Sequence, residues 1–483
     1  MDNAELRARA AAALDAAGCV AEARQAYIAA LAATPSHPGA LHGLAALLTR
    51  TGARRAAQTV YRQITLCHPG DAAGQAGYAN TLFEAGDLTG ARLGYETALA
   101  ARPGYPEAHQ GLGNICAALG DHAGARAHWT MGYRDRVFNV WAYRGKAAPI
   151  RVLLLISVAG GNVRVLPFLD DTIFAVTAVA AEFLTDAHDL PPHDLVLNAI
   201  GDADLCGTAL DAACRLCART TRAVVNDPAH VRRTGRADNA ARLGRIAGVV
   251  TPLMATLPRA ALVGGDGEAA LAALGLGFPV LLRAPGFHTG RHFVCADDPA
   301  GLAQAAALPG EQTLAIEYLD SRGPDGHARK GRVLRIGGAM YPLHWAVSPE
   351  WKVHYCTAPM AENAAHRAEE ARFLKDWSGF LGAGAAAALR RAGAALGLEY
   401  CGIDFSVAAD GRVQLFEANA TMVILMPPEG RIWRHRRQAA ARALAAARAM
   451  LLDAARGNRG RGTTLAGDEC PRARSRPATG SGG

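Results

Sequence analysis

Three oxygen-bearing side chains near the end of the chain, Asp404, Glu417 and Asn419, stand at a spacing suited to a hard cation. They belong to the run Cys401-Gly402-Ile403-Asp404-Phe405-Ser406-Val407, a break Ala408-Ala409-Asp410-Gly411-Arg412, and the run Val413 to Asn419. Asp-Gly between two strand-like runs signals a hairpin, because both turn residues tolerate positive φ. With Asp410-Gly411 as a two-residue loop, Asp404 falls directly opposite Glu417, and Asn419 projects from the same face. Directly opposed Cβ atoms stand about 4.5–5.5 Å apart. Two carboxylates so placed repel each other unless something positive lies between them. Mg²⁺ is a natural occupant, since it takes oxygen ligands at about 2.0–2.1 Å and completes its shell with water and substrate phosphates. The bland alternative is a solvated edge hairpin carrying two acids. Its other face, Ile403, Phe405, Val407 and Phe416, is apolar and is expected to be buried.

Basic groups suited to phosphate precede this hairpin. The chain has 47 Arg and only four Lys, namely Lys146, Lys330, Lys352 and Lys375. An ammonium is the compact point charge that phosphate binding uses, and Lys330 and Lys352 fall on either side of one strand pair. Arg283 ends the strand-like run Phe278-Pro279-Val280-Leu281-Leu282-Arg283, and the glycine-bearing stretch from Ala284 to Gly290 follows, with Gly286 and His288 inside it.

These pieces, in this order, resemble the ATP-grasp fold. Gly-Ile-Asp-Phe, a turn Asp-Gly, then Phe-Glu-Ala-Asn is similar to its metal-binding end, which implies Asp404, Glu417 and Asn419 as magnesium ligands against the nucleotide phosphates. The resemblance implies further roles. Arg283, where the family commonly has Lys, would reach the phosphates, and the stretch around Gly286 would close over them, with His288 a phosphate or acid–base group. Thr313-Leu314-Ala315-Ile316-Glu317-Tyr318-Leu319 is similar to the hinge strand that meets adenine, with backbone groups near Tyr318 and Leu319 on the base and Glu317 as anchor. Lys330-Gly331-Arg332-Val333-Leu334 resembles the strand whose Arg faces the transferred phosphoryl group. Trp351-Lys352-Val353-His354-Tyr355 would lie on the acceptor side, Lys352 near the γ-phosphate and His344 and Trp345 close by, against core packing of Trp345 and Trp351 as the competing account. Upstream, Val225-Asn226-Asp227-Pro228 through Arg236 to Gly248-Val249-Val250-Thr251-Pro252 resembles the family's opening segment, with Arg236 as its first phosphate-binding base.

The elements that carry these residues follow from the rest of the sequence. Through residue 137 the chain repeats every 34 positions: Gly18, Gly52, Gly86 and Gly120; Ala23, Ala57, Ala91 and Ala125; Tyr27, Tyr61, Tyr95 and Trp129; with Pro35, Pro69 and Pro103 closing units. Between the marks the pattern is helical, the Gly permitting a tight turn, the Ala a close helix approach and the ring filling the gap. This resembles four tetratricopeptide repeats, from about Ala4 to Val137. One repeat cannot bury its apolar face, so stacking builds the core and leaves a groove for a peptide or protein. Asn80 and Asn114, one period apart, are placed to clamp a peptide backbone there. A dimerisation or spacer role is the alternative. Residues 138–252 then read as a linker and a small doubly wound sheet, with strands Ile150–Val158, Leu195–Ile200 and Ala223–Asn226 separated by helices. Gly160-Gly161 is either a phosphate-cradling turn or a plain strand-to-helix turn.

Composition bounds the rest. At 483 residues, and about 100–200 per domain, two to four domains are expected. A 50% hydrophobic and 19% charged content excludes wholesale disorder. No apolar run approaches the ~20 residues of a membrane helix, and the N-terminus lacks a secretory pattern, so a cytosolic chain is expected. The net charge of +8 comes entirely from Pro428 onward, with 12 Arg against 4 acids; the remainder holds 39 basic and 39 acidic residues. That argues against a nucleic-acid-binding body. Ten Cys without an extracellular cue read as reduced thiols, and Cys214 and Cys217 as a helical core face rather than a metal or redox pair. The architecture expected is thus an all-α repeat solenoid (1–137), an α/β subdomain (138–252), an α+β nucleotide- and metal-binding domain (253–427), a basic helix (428–456) and a disordered tail (457–483). The function implied is ATP- and Mg²⁺-dependent ligation of a carboxylate to an amine or thiol, on a peptide or protein held by the repeats. The alternatives are a non-catalytic scaffold that uses nucleotide to set its shape, and a small-molecule ligase whose repeats oligomerise.

Overall fold

The computed structural model describes residues 3–263, 266–284 and 292–457. Gly286, His288 and the tail beyond Gly457 lie outside the described residues.

Eight helices form the N-terminal array: α1 (Asn3–Ala16), α2 (Val20–Ala33), α3 (Pro38–Arg50), α4 (Arg54–Cys67), α5 (Ala72–Glu84), α6 (Leu88–Ala101), α7 (Pro106–Ala118) and α8 (His122–Tyr133). It is a tetratricopeptide-like repeat array of four helix pairs. Gly18, Gly52, Gly86 and Gly120 turn each pair at φ between +76° and +87°, the left-handed region open to glycine. Tyr27, Tyr61 and Tyr95 pack on Gly43, Gly77 and Gly111 of the next pair, so closely that a Cβ there would meet the ring at 2.1–2.3 Å. That second glycine series, also 34 apart, is what lets each ring bridge neighbouring units. Asn80 accepts a hydrogen bond from the Tyr95 hydroxyl at 2.6 Å, and Asn114 from Trp129 Nε1 at 3.1 Å. Their amide oxygens therefore hold the ring of their own unit with one lone pair, and the second lone pair and the amide N–H groups remain for a guest.

The first sheet holds β1 (Phe138–Val140), β2 (Ile150–Ile156), β3 (Phe174–Ala180), β4 (Leu195–Asn198) and, after α9 (Gly207–Cys217), β5 (Ala223–Val225), in the order β1-β3-β2-β4-β5. All pairings are parallel except that of β1. Between Ile156 and Leu195 the chain makes a strand and short 3-10 turns where a helix was expected. The run Phe174-Ala175-Val176-Thr177-Ala178-Val179-Ala180 is apolar and Ala-rich, and such a run has no period that separates helix from strand. Gly160-Gly161 accordingly leads into an irregular loop rather than a helix. Alternation along the strands divides the faces: Leu153, Leu155 and Val196 pack with Ala209, Leu210 and Ala213 of α9, while Val152, Leu154 and Val176 face the C-terminal helix described below. Cys214 and Cys217 are half-buried on α9, and burial pushes the Cys217 thiol up to about 12, a structural rather than reactive thiol.

Then come α10 (Pro228–Val231), α11 (Arg236–Leu243), β6 (Val249–Val250), β7 (Met254–Pro258), α12 (Ala260–Val263), α13 (Gly267–Ala273), β8 (Val280–Arg283), β9 (Phe293–Ala296), β10 (Gln312–Glu317), β11 (Ala328–Ile336) and β12 (Ala339–Ser348). Next are α14 (Ala364–Lys375), α15 (Trp377–Leu381), α16 (Ala383–Ala395), β13 (Tyr400–Val407), β14 (Val413–Asn419) and α17 (Arg434–Ala455). A second, antiparallel sheet has the order β7-β10-β8-β9, and a third the order β12-β11-β13-β14-β6. Ala440, Ala443, Ala447 and Leu451 of α17 cover the first sheet together with Leu334 and Ile336 of the third. Among the described residues no helix is long and apolar enough to cross a membrane.

Candidate functional site

The hairpin β13–β14 places its carboxylates by a route the sequence did not reveal. The Ala408 N–H donates to the Arg412 carbonyl at 2.9 Å, so the turn spans Ala409-Asp410-Gly411, three residues rather than two. Val407 pairs with Val413, Ser406 with Gln414 and Phe405 with Leu415; a bulge then absorbs Phe416, and Asp404 faces Glu417 after all. A bulge re-aims the side chain it displaces. Phe416 is only half-buried and lines a cavity instead of joining Ile403 and Phe405 in the core.

Register extends this pair into a row across the third sheet. His344 of β12 pairs with Arg332 of β11, Arg332 with Asp404, and Asp404 with Glu417. Paired residues share a face, so imidazole, guanidinium and two carboxylates stand side by side. Arg332 grips Asp404 in a fork, Nε to Oδ1 at 2.6 Å and Nη2 to Oδ2 at 2.8 Å, and Lys330 Nζ lies 3.1 Å from Oδ2. Burial works against the Asp404 charge, yet Arg332 and Lys330 hold its carboxyl well below the usual range. Glu417 is likewise held down against its burial, chiefly by Arg236, whose Nη2 donates to Oε1 at 2.9 Å. The chain's own cations thus relieve the repulsion between the two acids, so repulsion alone does not call for a metal. Asn419 donates to Glu417 Oε1 at 2.9 Å, while its amide oxygen accepts from the Thr421 N–H and hydroxyl.

Arg236 opens α11, and its N–H is held by the Asp204 carboxylate from the first sheet's loops. Asn239, one turn on, donates to the Ala418 carbonyl at 2.5 Å and ties the helix to β14. Asn226, at φ 58°, exchanges hydrogen bonds with both backbone groups of Tyr400. This joins the end of β5 to the start of β13.

A cavity of about 530 Å³ lies between the second and third sheets. Arg236, Arg283, Glu317, Tyr318, Leu319, Lys330, Arg332, Lys352, Asp404 and Glu417 all line it. Asn419 borders an adjoining cleft with Arg236 and Glu417. Met254, Leu281 and Ile316 make one end apolar. Glu317 accepts from the Leu253 N–H at 2.9 Å and its own N–H returns to the Leu253 carbonyl, which fixes the strand end before Tyr318. Burial, with Arg236 nearby, draws the Arg283 guanidinium down to about 10. Lys352 donates to the Phe293 carbonyl at 3.2 Å, and burial together with Arg283 lowers its pKa. The centre of the Phe293 ring is 5.7 Å from Arg283 and 5.8 Å from Lys352.

Several lining groups were not singled out from the sequence for this role. Phe293, Phe416 and Met254 are among them, and Gly161 and Asn162 bring the first sheet's loop to the cavity edge. A Cβ on Gly161 would meet Cys206 Sγ at 2.6 Å, so close packing requires the glycine. Trp345 is core, packed on Phe373, Phe380 and Phe405, whereas Trp351 lines the cavity against Phe293. Tyr355, another lining ring, stacks on His344 at 4.9 Å.

No protein-family model and no curated protein matches the chain. Among solved structures, a MamA fragment (41-end) from Desulfovibrio magneticus RS-1 is 21% identical, over 27% of this chain and 75% of that one, with a TM-score of 0.26. A thermophilic TPR protein of Thermus thermophilus is 22% identical, over 28% of this chain and 74% of that one, at 0.25. Likenesses of this strength carry no argument about what the chain does.

Proposed function

We propose that the cavity between the second and third sheets takes ATP and uses it to join a carboxylate to an amine or thiol, while the repeat array holds a peptide or protein partner. The observation that carries this reading is the convergence of Arg236, Arg283, Lys330, Arg332 and Lys352 on one cavity with an apolar end. Five cations against Glu317, Asp404 and Glu417 leave a positive surplus that suits a triphosphate, and the end formed by Met254, Leu281 and Ile316 suits a planar base. The ATP-grasp resemblance of the hairpin motif points the same way.

The residues also fit a magnesium ion. Asp404 and Glu417 carry facing carboxylates on β13 and β14, with Lys330 and Arg236 standing at them as cations in its stead, whereas Asn419 turns its amide oxygen to Thr421 and its N–H to Glu417. The two carboxylates would hold the ion, Asn419 joining them once its amide turns over, and the ion when bound would neutralise charge on the phosphates.

A carboxylate is a poor acyl donor because its leaving oxygen is an anion. Transfer of the γ-phosphoryl group to a carboxylate oxygen, with ADP leaving, turns that oxygen into a leaving group. The nucleophile's electron pair then forms the new bond to the acyl carbon and phosphate departs with the old one. Such a transfer needs in-line placement and charge neutralisation rather than covalent help. Arg332 gives Asp404 two of its five N–H donors, which leaves three for phosphoryl oxygens. Lys330 and Arg283 add charge on either side.

ADP release from purified protein with ATP, magnesium and pairs of carboxylate and amine tests the reading. Release that requires both partners is expected. Glu417→Ala, with the fold intact by circular dichroism, is expected to lower turnover by about 10²–10³-fold, the scale of losing one preorganised electrostatic group. Tight nucleotide binding without turnover would favour the scaffold reading, and no nucleotide binding would end both.

A further inference from the structure

Thr421, Met422, Val423 and Leu425 line the ligand cavity, and Met426, next in the chain, lines a second cavity of about 590 Å³ at the surface. Arg431, Arg434 and Arg437 line it against one acid, Glu429. Other arginines of α17 have structural work: Arg436 pairs with Glu370, Arg442 donates to the Leu374 carbonyl and Arg448 pairs with Asp170. Arg437 also has partners, the Pro427 carbonyl at 2.7 Å and, at 3.9 Å, the exposed Glu429. Arg431 and Arg434 are exposed, and their guanidinium groups have no hydrogen bond or ion pair among the described residues. Met426, which lines the groove, is 45% exposed, and its neighbour Leu425 and Arg431's neighbour Ile432 are 38% and 44% exposed.

We propose that this groove binds an acidic peptide segment, whose reactive end reaches the ligand cavity past Leu425; the second clause rests on the ligase reading. The charge calls for carboxylates, which guanidinium groups receive through paired N–H donors. The aliphatic strip calls for apolar side chains between them. Single-stranded nucleic acid fits less well, because its bases stack on aromatic side chains and no ring lines the groove. The position matters too: Leu425 lines the ligand cavity and Met426, the next residue, lines the groove with Arg431 and Arg434.

Full-length protein titrated with a fluorescein-labelled peptide of glutamate and leucine tests this by anisotropy. Binding that weakens with salt is expected, with R431E/R434E at least tenfold weaker and a lysine–leucine peptide not bound. Both positions are exposed, and unchanged thermal unfolding of the variant verifies its fold. Equal binding by the variant, no binding by the wild type, or tighter binding of a single-stranded RNA would overturn the proposal. Affinity for a non-hydrolysable ATP analogue, read on the same samples, keeps the two readings apart. Peptide binding lost while nucleotide binding persists condemns the groove alone, and a wild type that takes peptide but no nucleotide condemns the ligase reading alone.

Discussion

His344 ends the charged row, 5% exposed, with no hydrogen-bond partner for either ring nitrogen among the described residues. An unpaired buried polar group costs about 1–3 kcal/mol. Burial first, and then the charge of Arg332, hold its pKa well below that of a free imidazole, so it stays neutral in the fold while the unfolded chain takes a proton near pH 6.5. Below that pH the unfolded state binds the extra proton, and stability falls as pH falls, by about 1.4 kcal/mol per pH unit for this one group. His344→Phe keeps a ring against Tyr355 and removes both the unpaired nitrogens and the titration. Urea unfolding at pH 7 and at pH 5 should show a stability loss smaller by about 2 kcal/mol in total, with no loss of stability at pH 7. An unchanged slope would assign the acid sensitivity elsewhere, His354 being the next candidate because burial and Lys330 lower it too.

At the scale of elements, the repeat array was legible because glycine, alanine, aromatic ring and proline keep phase together, and each has a local reason to do so. The second glycine series was missed because its reason is not local: Gly43, Gly77 and Gly111 are small only because a ring from the preceding unit lies on them. The same division runs through the site. Asp404 opposite Glu417 could be read from a hairpin, although a longer turn and a bulge at Phe416 reached that pairing together. Phe293 and the place of His344 beside Arg332 depend on how separate strands and sheets meet, which no local pattern encodes. The glycine contact yields a paired prediction. In Gly77→Ala the new Cβ would sit 2.2 Å from the Tyr61 ring, an overpacking that costs about 1–3 kcal/mol. Gly70→Ala meets nothing within 4 Å and should change stability by less than about 0.5 kcal/mol. Thermal melts of the two variants side by side decide it; equal melting temperatures would mean that the ring shifts freely and does not lock neighbouring units.

For the whole molecule, α17 is where the first and third sheets are joined. Its middle and end cover both, and its start is fastened by Glu370, a fully buried carboxylate on α14. That carboxylate accepts from the Trp345 N–H on β12 at 3.1 Å, from Arg436 Nε at 2.6 Å and from His435 Nε2 at 2.8 Å. Removing one member of a buried pair strands the other charge and costs about 3–5 kcal/mol, whereas replacing both by apolar groups is often close to neutral. Arg436→Leu should therefore destabilise strongly, and Glu370→Leu/Arg436→Leu should recover much of the loss. If α17 couples the sheets, the effect must reach beyond its own contacts. Native-state hydrogen exchange in Arg436→Leu should show protection falling by a similar factor at Leu154 in the first sheet and Leu334 in the third, both packed on the helix. Ile64, in a separate core of the repeat array, should keep its protection. A loss confined to Leu334 would mean that the two sheets open independently and that the helix merely rests on the first. Equal losses at all three amides would mean that the array unfolds with the rest as one cooperative unit, and a single such unit would leave no separate module for a partner to remodel.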